Sequence, residues 1–205
     1  MTKLFRFLLI VACVLAVSGM ARAEGNVASV RLIDVTEGKE ALTLKAGEAS
    51  VTAPKNSAGA YHALPPGGEM AAVGASSTEM LLAAGHFYSV VASGSAAAPT
   101  LSFLEDPASG SAARAMLIFY NLTDHEVLNL VTADGKNMVV QGVAAGVNGA
   151  RAIPPMSLRL GVAEVGHVLA DVPSTAFAGG ASYTIIARGS GKEVTAVLVK
   201  GETAP

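Results

Sequence analysis

The sequence predicts an all-β protein built of two tandem small β-sandwich domains, immunoglobulin-like or jelly-roll-like. Three observations carry this expectation. Short runs dense in β-branched and aromatic residues recur at intervals of roughly 8–12 residues, the rhythm of sandwiches and antiparallel barrels. Helical periodicity is almost absent from the same stretches. The order of the runs also repeats once within the chain of 205 residues.

Residues 1–23 read as a secretory signal peptide. Lys3 and Arg6 make a positive n-region, and Leu4 to Val17 is almost unbroken apolar sequence. Ala21-Arg22-Ala23 supplies the small-x-small pattern of a cleavage site between Ala23 and Glu24. The apolar run of about 14 residues is too short to cross a hydrocarbon core of roughly 30 Å as a helix. Cleavage there would deliver the chain to the periplasm. It would also remove Cys13, the one cysteine, and leave 11 basic against 16 acidic side chains. No disulfide, thiolate nucleophile or thiolate metal ligand would remain.

The first copy covers residues 24–106. Its strand runs are Ser29–Val35, Phe87–Ala92 and Thr100–Leu104, each bounded by Gly, Pro, Asn, Asp or Ser. Only Thr78 to Ala84 has the look of a short helix, with Met80, Leu81 and Leu82 as its apolar side. A linker at 107–111 follows, because Pro107 blocks strand continuation. The adjoining Glu105-Asp106 reads as an exposed, solvated pair rather than a carboxylate dyad. The second copy covers 112–205, with runs at Ala115–Tyr120, Tyr183–Ala187 and Val194–Val199. Asp134-Gly135, between Leu128–Val131 and Met138–Val140, reads as a hairpin turn because glycine tolerates positive φ.

The copies match in three places. Val30-Arg-Leu-Ile-Asp-Val35 pairs with Ala115-Met-Leu-Ile-Phe-Tyr120, and Ala63-Leu-Pro-Pro66 with Ala152-Ile-Pro-Pro155. Ala84-Gly-His-Phe-Tyr-Ser-Val-Val91 pairs with Gly179-Gly-Ala-Ser-Tyr-Thr-Ile-Ile186, so the offsets are 85, 89 and 95. Each half is small and lacks tryptophan, so a broad contact between the halves, or with a partner, is expected to supplement two modest cores.

Composition and motifs exclude more than they assign. An apolar fraction of 51 % with 15 % charged residues excludes intrinsic disorder. A formal charge of −2 gives no electrostatic reason to expect nucleic acid as a partner. Gly74-Ala-Ser-Ser-Thr78 lacks the second glycine of a nucleophile elbow. His62, His86, His125 and His167 are isolated, without metal-ligand spacing, and no glycine-rich phosphate loop opens onto a helix. No metal or cofactor is therefore expected. Thr123-Asp124-His125-Glu126 is the densest polar constellation. It could hold an acid, a base or two metal ligands, but between two strand runs it reads as a turn whose Asp accepts backbone N–H groups.

Ala113-Arg-Ala-Met-Leu-Ile-Phe-Tyr-Asn-Leu-Thr-Asp124 stands with Thr132-Ala-Asp-Gly-Lys136, Gly149-Ala-Arg-Ala-Ile153, Gly85-His-Phe-Tyr88 and Leu104-Glu-Asp-Pro107. In their order and spacing these segments resemble the AlgF family, periplasmic accessory proteins of alginate O-acetylation with relatives that serve bacterial cellulose. The resemblance covers most of the chain beyond the leader and is strongest over 100–153. It implies a secreted, non-catalytic protein of two β-sandwich domains. It also implies that SGNH-type periplasmic O-acetyltransferases and a membrane-bound O-acyltransferase move the acetyl group, and that this protein contacts them.

Three readings follow. The first is an adaptor of exopolysaccharide O-acetylation, with Asn121, Asp124, Asp134 and Arg151 on the partner surface. The plainer view of those residues puts Asn121 and Asp134 in turns and pairs Arg151 with a nearby carboxylate. The second is a carbohydrate-binding module with weak polysaccharide contact, using Tyr61 and Tyr120 as exposed stacking faces; an aromatic content of 5 % counts against strong glycan binding. The third is an acetyl carrier or transferase using Ser76, Ser77 or His125.

Overall fold

A strand covered on one face alternates apolar and polar residues, whereas a strand covered on both reads as a continuous apolar run. Met116-Leu-Ile-Phe-Tyr120 is of the second kind, and Val30-Arg-Leu-Ile-Asp-Val35 likewise lacks alternation although Arg31 and Asp34 interrupt it; the two set the architecture. The computed structural model describes residues 26–107 and 112–201. The leader, the Ala23–Glu24 position and most of the 107–111 linker lie outside the described residues.

The N-terminal half contains β1 (Ala28–Thr36), β2 (Leu42–Ala46), β3 (Ala49–Ala53), β4 (Ser57–Ala58), β5 (His62–Leu64), β6 (Gly67–Val73), β7 (Ser76–Leu82), β8 (Phe87–Gly94) and β9 (Thr100–Asp106). The C-terminal half contains β10 (Ala115–Thr123), β11 (Val127–Thr132), β12 (Met138–Ala144), β13 (Asn148–Ile153), β14 (Met156–Glu164), β15 (His167–Phe177), β16 (Ser182–Gly189) and β17 (Thr195–Gly201). The fold class is all-β, as expected.

One N-terminal sheet runs β3-β2-β6-β7, and the other β4-β1-β8-β9 with β5 also on β1. The C-terminal half repeats this as β12-β11-β14-β15 and β13-β10-β16-β17, with β13 in the place of β4 and β5. In each half the long first strand lies parallel to the penultimate one, β1 beside β8 and β10 beside β16. Leu44, Val51, Val73 and Met80 meet Val30, Leu32, Tyr88 and Val90 to fill the first sandwich. Leu128, Leu130, Leu160 and Val162 meet Leu117, Phe119, Tyr183 and Ile185 in the second.

The other faces of the β1 and β10 sheets close on each other. Ile33, Val35, Val91 and Leu104 pack there with Ile118, Tyr120, Ile186 and Val199. Fully burying one such aliphatic side chain contributes about 1.5–3 kcal/mol. The contact between halves expected from their small cores is thus present, and it explains why β1 and β10 lack alternation.

The duplication is visible in register. Val30 lies beside Tyr88 and Leu117 beside Tyr183, so Val30 corresponds to Leu117, two residues beyond the sequence match to Ala115. A shift of two preserves which face each side chain occupies, so the apolar pattern gave no warning of it. The paired tyrosines do the same work: the Ala83 N–H donates to Tyr88 Oη at 3.1 Å and the Ala178 N–H to Tyr183 Oη at 2.9 Å. Asp134-Gly135 does close the β11–β12 hairpin, with Gly135 at φ 72°.

One element differs from expectation. Ser76–Leu82 is strand β7, not helix, with Met80 and Leu82 buried and Leu81 77 % exposed. Three consecutive apolar residues cannot distinguish a period of 2 from 3.6, and β6 supplies the partner that decides. At the end of β16, Gly189 has φ 110°, and an added methyl carbon would overlap the Glu193 carbonyl oxygen. Gly189→Ala is therefore expected to cost about 1–3 kcal/mol in denaturant unfolding, the scale of a strained backbone position. A loss below 0.5 kcal/mol, roughly that of a neutral surface change, would show that this turn rearranges freely.

Candidate functional site

The densest polar chemistry lies where the two halves meet. Arg31, from the middle of β1, is completely buried. Its Nη2 stands 3.2 Å from Asp106 Oδ2, with neither side chain exposed. Arg31 Nε donates to Ser89 Oγ at 2.7 Å, and Nη2 also donates across the junction to Thr184 Oγ1 at 3.3 Å. The guanidinium carbon sits 4.7 Å from the centre of the Tyr61 ring, a cation–π contact.

Asp106 is the hub. Tyr61 Oη donates to its Oδ2 at 2.6 Å, Ser89 Oγ donates to the same oxygen at 2.5 Å, and Tyr120 Oη donates to Oδ1. Burial and then the charge of Asp106 push both phenols well above the ordinary tyrosine range. Burial pulls the Arg31 pKa down, but Asp106, Tyr61 and Tyr120 together outweigh it and the pKa is raised. Arg188 Nη1, donating to the Val35 carbonyl, and Asn148 Nδ2, donating to Glu105 O at 2.7 Å, add two more links between the halves.

Two expectations fail here. Glu105-Asp106 is not a solvated linker pair: both residues lie in β9, and Asp106 is the buried counter-ion of Arg31. Tyr120 is fully buried and Tyr61 half-buried against Asp106, so neither offers the exposed face a sugar ring would stack on. The signal that could have revealed the junction is Arg31 itself, one of two charges, with Asp34, inside an otherwise apolar run. A charge there requires a buried partner.

The four residues expected on a partner surface do not assemble. Asn121 is buried. Its Nδ2 donates to the His125 and Val143 carbonyls at 3.0 and 3.1 Å, and its Oδ1 accepts from the Thr123 N–H and hydroxyl at 3.2 and 2.7 Å. Asp34 does the equivalent in the first half, accepting the Thr36 N–H and hydroxyl at 2.9 and 2.8 Å. Asn121 is thus a buried residue of strand β10 whose side chain braces the turn that follows, and not itself a turn residue as the plainer view held.

Asp124, at the same end of the second half, accepts the Gly191 N–H at 3.0 Å, which ties the β10–β11 turn to the β16–β17 turn. His125 beside it presents Nδ1 to Glu164 Oε1 at 2.9 Å and Nε2 to the Gly191 carbonyl at 2.7 Å. Both partners are acceptors, so the geometry favours the doubly protonated ring, and the Glu164 hydrogen bond foremost raises the His125 pKa. A raised folded-state value means stabilisation that is complete below the ordinary imidazole pKa. It is lost as pH climbs through the folded-state value. An NMR titration should find His125 above the ordinary histidine value, with Glu164→Gln lowering it; an unchanged midpoint in that variant would contradict the assignment.

Asp134 and Arg151 lie at the other end. Asp134 accepts the Thr132 hydroxyl at 2.6 Å and the Lys136 N–H at 3.2 Å inside its hairpin, and these bonds lower its pKa. Among the described residues Arg151 pairs with no carboxylate. Its Nη1 donates to the Met138 and Val139 carbonyls, both at 3.1 Å, across the open side of the sandwich. Ser76 and Ser77 lie on β7 in the N-terminal half, remote in the chain from His125. Among the described residues no group of three or more His, Cys, Asp or Glu could hold a metal ion.

Fold and junction together define a duplicated two-sandwich all-β protein in which an ion pair buried in the first half is hydrogen-bonded to Thr184 and Tyr120 of the second. The profile of the family described as "Alginate O-acetyl transferase AlgF" matches residues 15–184. An "Alginate biosynthesis protein AlgF" of Pseudomonas fluorescens is 34 % identical over 136 residues, covering 66 % of this chain and 61 % of that protein. Its namesake in Azotobacter vinelandii is 35 % identical over 147 residues, 72 % of this chain and 65 % of that protein. The chain thus matches less than two thirds of the length of these curated relatives. The solved C-terminal domain of AlgF from P. aeruginosa is 30 % identical, covers 43 % of this chain and 99 % of that one, and superposes with a TM-score of 0.40. The chain belongs to the AlgF family.

Proposed function

We propose that this protein is a non-catalytic, periplasmic accessory of exopolysaccharide O-acetylation. In this reading the polymer is alginate-like. Two domains, 24–106 and 112–205, hold SGNH-type O-acetyltransferases and, at the membrane, an O-acyltransferase. Family membership supports the choice of pathway. The observation that supports the non-catalytic part is the way the reactive side chains are used. Both ring nitrogens of His125 are taken by Glu164 and Gly191, and Asp106 is enclosed by Arg31 and three hydroxyl donors. A general base needs a lone pair within reach of a substrate proton, and both ring nitrogens of His125 are engaged within the protein. The leader at 1–23 and its cleavage after Ala23 belong to the same proposal.

Deleting the gene in a polymer-producing strain should abolish or sharply reduce polymer O-acetylation. The purified protein alone should transfer no acetyl group from an activated ester to polymer, and should co-purify with a periplasmic acetyltransferase. Turnover by the purified protein, abolished in Ser77→Ala or His125→Ala, would establish the transferase instead. Saturable heat with uronate oligomers would favour a carbohydrate-binding module.

A further inference from the structure

We infer that the open side of the second sandwich, between β12 and β13, is a docking surface for a protein partner that presents a carboxylate beside an aliphatic side chain. The inference rests on the adaptor reading and gives it a location. β12 and β13 are each the edge strand of their sheet, and edges leave backbone groups unpaired. Here two arginines cover them. Arg151 Nη1 bridges the Met138 and Val139 carbonyls, and Arg114 Nη1 donates to the Ala152 carbonyl at 3.3 Å. A guanidinium carries five N–H donors in a rigid fork. One nitrogen of each is anchored to the edge, and the remaining donors of both have no partner among the described residues.

The two arginines line one groove of about 240 Å³, and no acidic side chain lines it. Positive charge that no acidic side chain neutralises among the described residues, in a chain of net charge −2, calls for an anionic occupant. Two forks side by side match carboxylate geometry. The rest of the groove is apolar: Met138 and Met156 are 52 % and 45 % exposed on it, and Leu158 lies between the sheets below. Methionines adapt to varied apolar partners, and Arg with Met is the composition of protein interfaces. No aromatic side chain lines the groove, so a sugar ring finds no stacking face and the occupant is a polypeptide.

The test measures binding of the full chain to two probes: the purified SGNH-type O-acetyltransferase of the same gene cluster, and a polyuronate hexamer. Arg114→Glu with Arg151→Glu should weaken the enzyme complex about 20-fold or more, the scale of losing paired charges at an interface centre. Met138→Asp with Met156→Asp, which leaves the edge arginines in place, should weaken it comparably. Leu81→Ser on the N-terminal half should change nothing. Enzyme binding within twofold of wild type in both double variants would overturn the groove while the adaptor reading stands. Failure of the wild-type chain to bind any acetyltransferase would remove the adaptor reading and the groove with it. Hexamer binding that disappears in the arginine variant, without enzyme binding, would replace the polypeptide by a polysaccharide and overturn the inference.

Discussion

Asp106→Ala is expected to lower stability by about 3–5 kcal/mol, the cost of leaving a buried charge without its partner. Arg31 is fully buried, and its Nη1 already lacks a hydrogen-bond partner. Removing the carboxylate strips the guanidinium of its counter-ion and leaves the Tyr61, Tyr120 and Ser89 hydroxyls without their acceptor. Arg31→Met with Asp106→Leu should recover most of the loss, because an apolar pair of similar volume is commonly neutral to stabilising. Denaturant unfolding checks both. The single variant should also divide one transition into two, since the residue connects the halves. A loss below about 1 kcal/mol, within the ordinary range for an undistinguished substitution, would mean that water reaches the junction.

Asn121→Asp should be nearly as damaging at neutral pH, by about 3 kcal/mol or more. The Asn121 amide donates to two carbonyl oxygens, and a carboxylate there would face both with nothing to give. Protonation would restore one donor, so the deficit should shrink as pH falls; a pH-independent deficit would contradict this account. The reciprocal change is informative because the first half already carries the acid. Asp34 Oδ2 is buried without a hydrogen-bond partner, and among the described residues the cation paired with the carboxylate is the partly exposed Lys55, its Nζ 3.7 Å from Oδ1. Asp34→Asn is therefore expected to be neutral or stabilising in the same assay.

The strands were legible because β-branched runs bounded by turn residues have few alternatives, and the repeat was legible because its Pro-Pro and tyrosine segments recur in order. The four-layer stacking was legible only in principle, in the missing alternation of β1 and β10. Arg31 carried the signal, but its counter-ion Asp106 lies 75 positions away and nothing local links the two. Asp106 was misread for a related reason: proline after it signalled the end of a strand, but not that the strand's last residue turns inward. The groove drew on a residue singled out in the sequence, Arg151, but its role as an edge cover depends on β12 passing beside β13. Hydrogen bonds between residues far apart in sequence leave no trace in a local pattern.

The parallel placement of β1 beside β8 has a kinetic consequence. Arg31 reaches Ser89 across 58 positions and Thr184 across 153, so neither sandwich can close on neighbouring segments alone. Chains dominated by such distant pairings acquire their shape slowly, because loop entropy must be surrendered before the contacts reward it. Refolding on the millisecond-to-second scale or slower is expected. Until then the first strand keeps Arg31 and Asp34 in water, and charged positions discourage it from associating with the wrong neighbour.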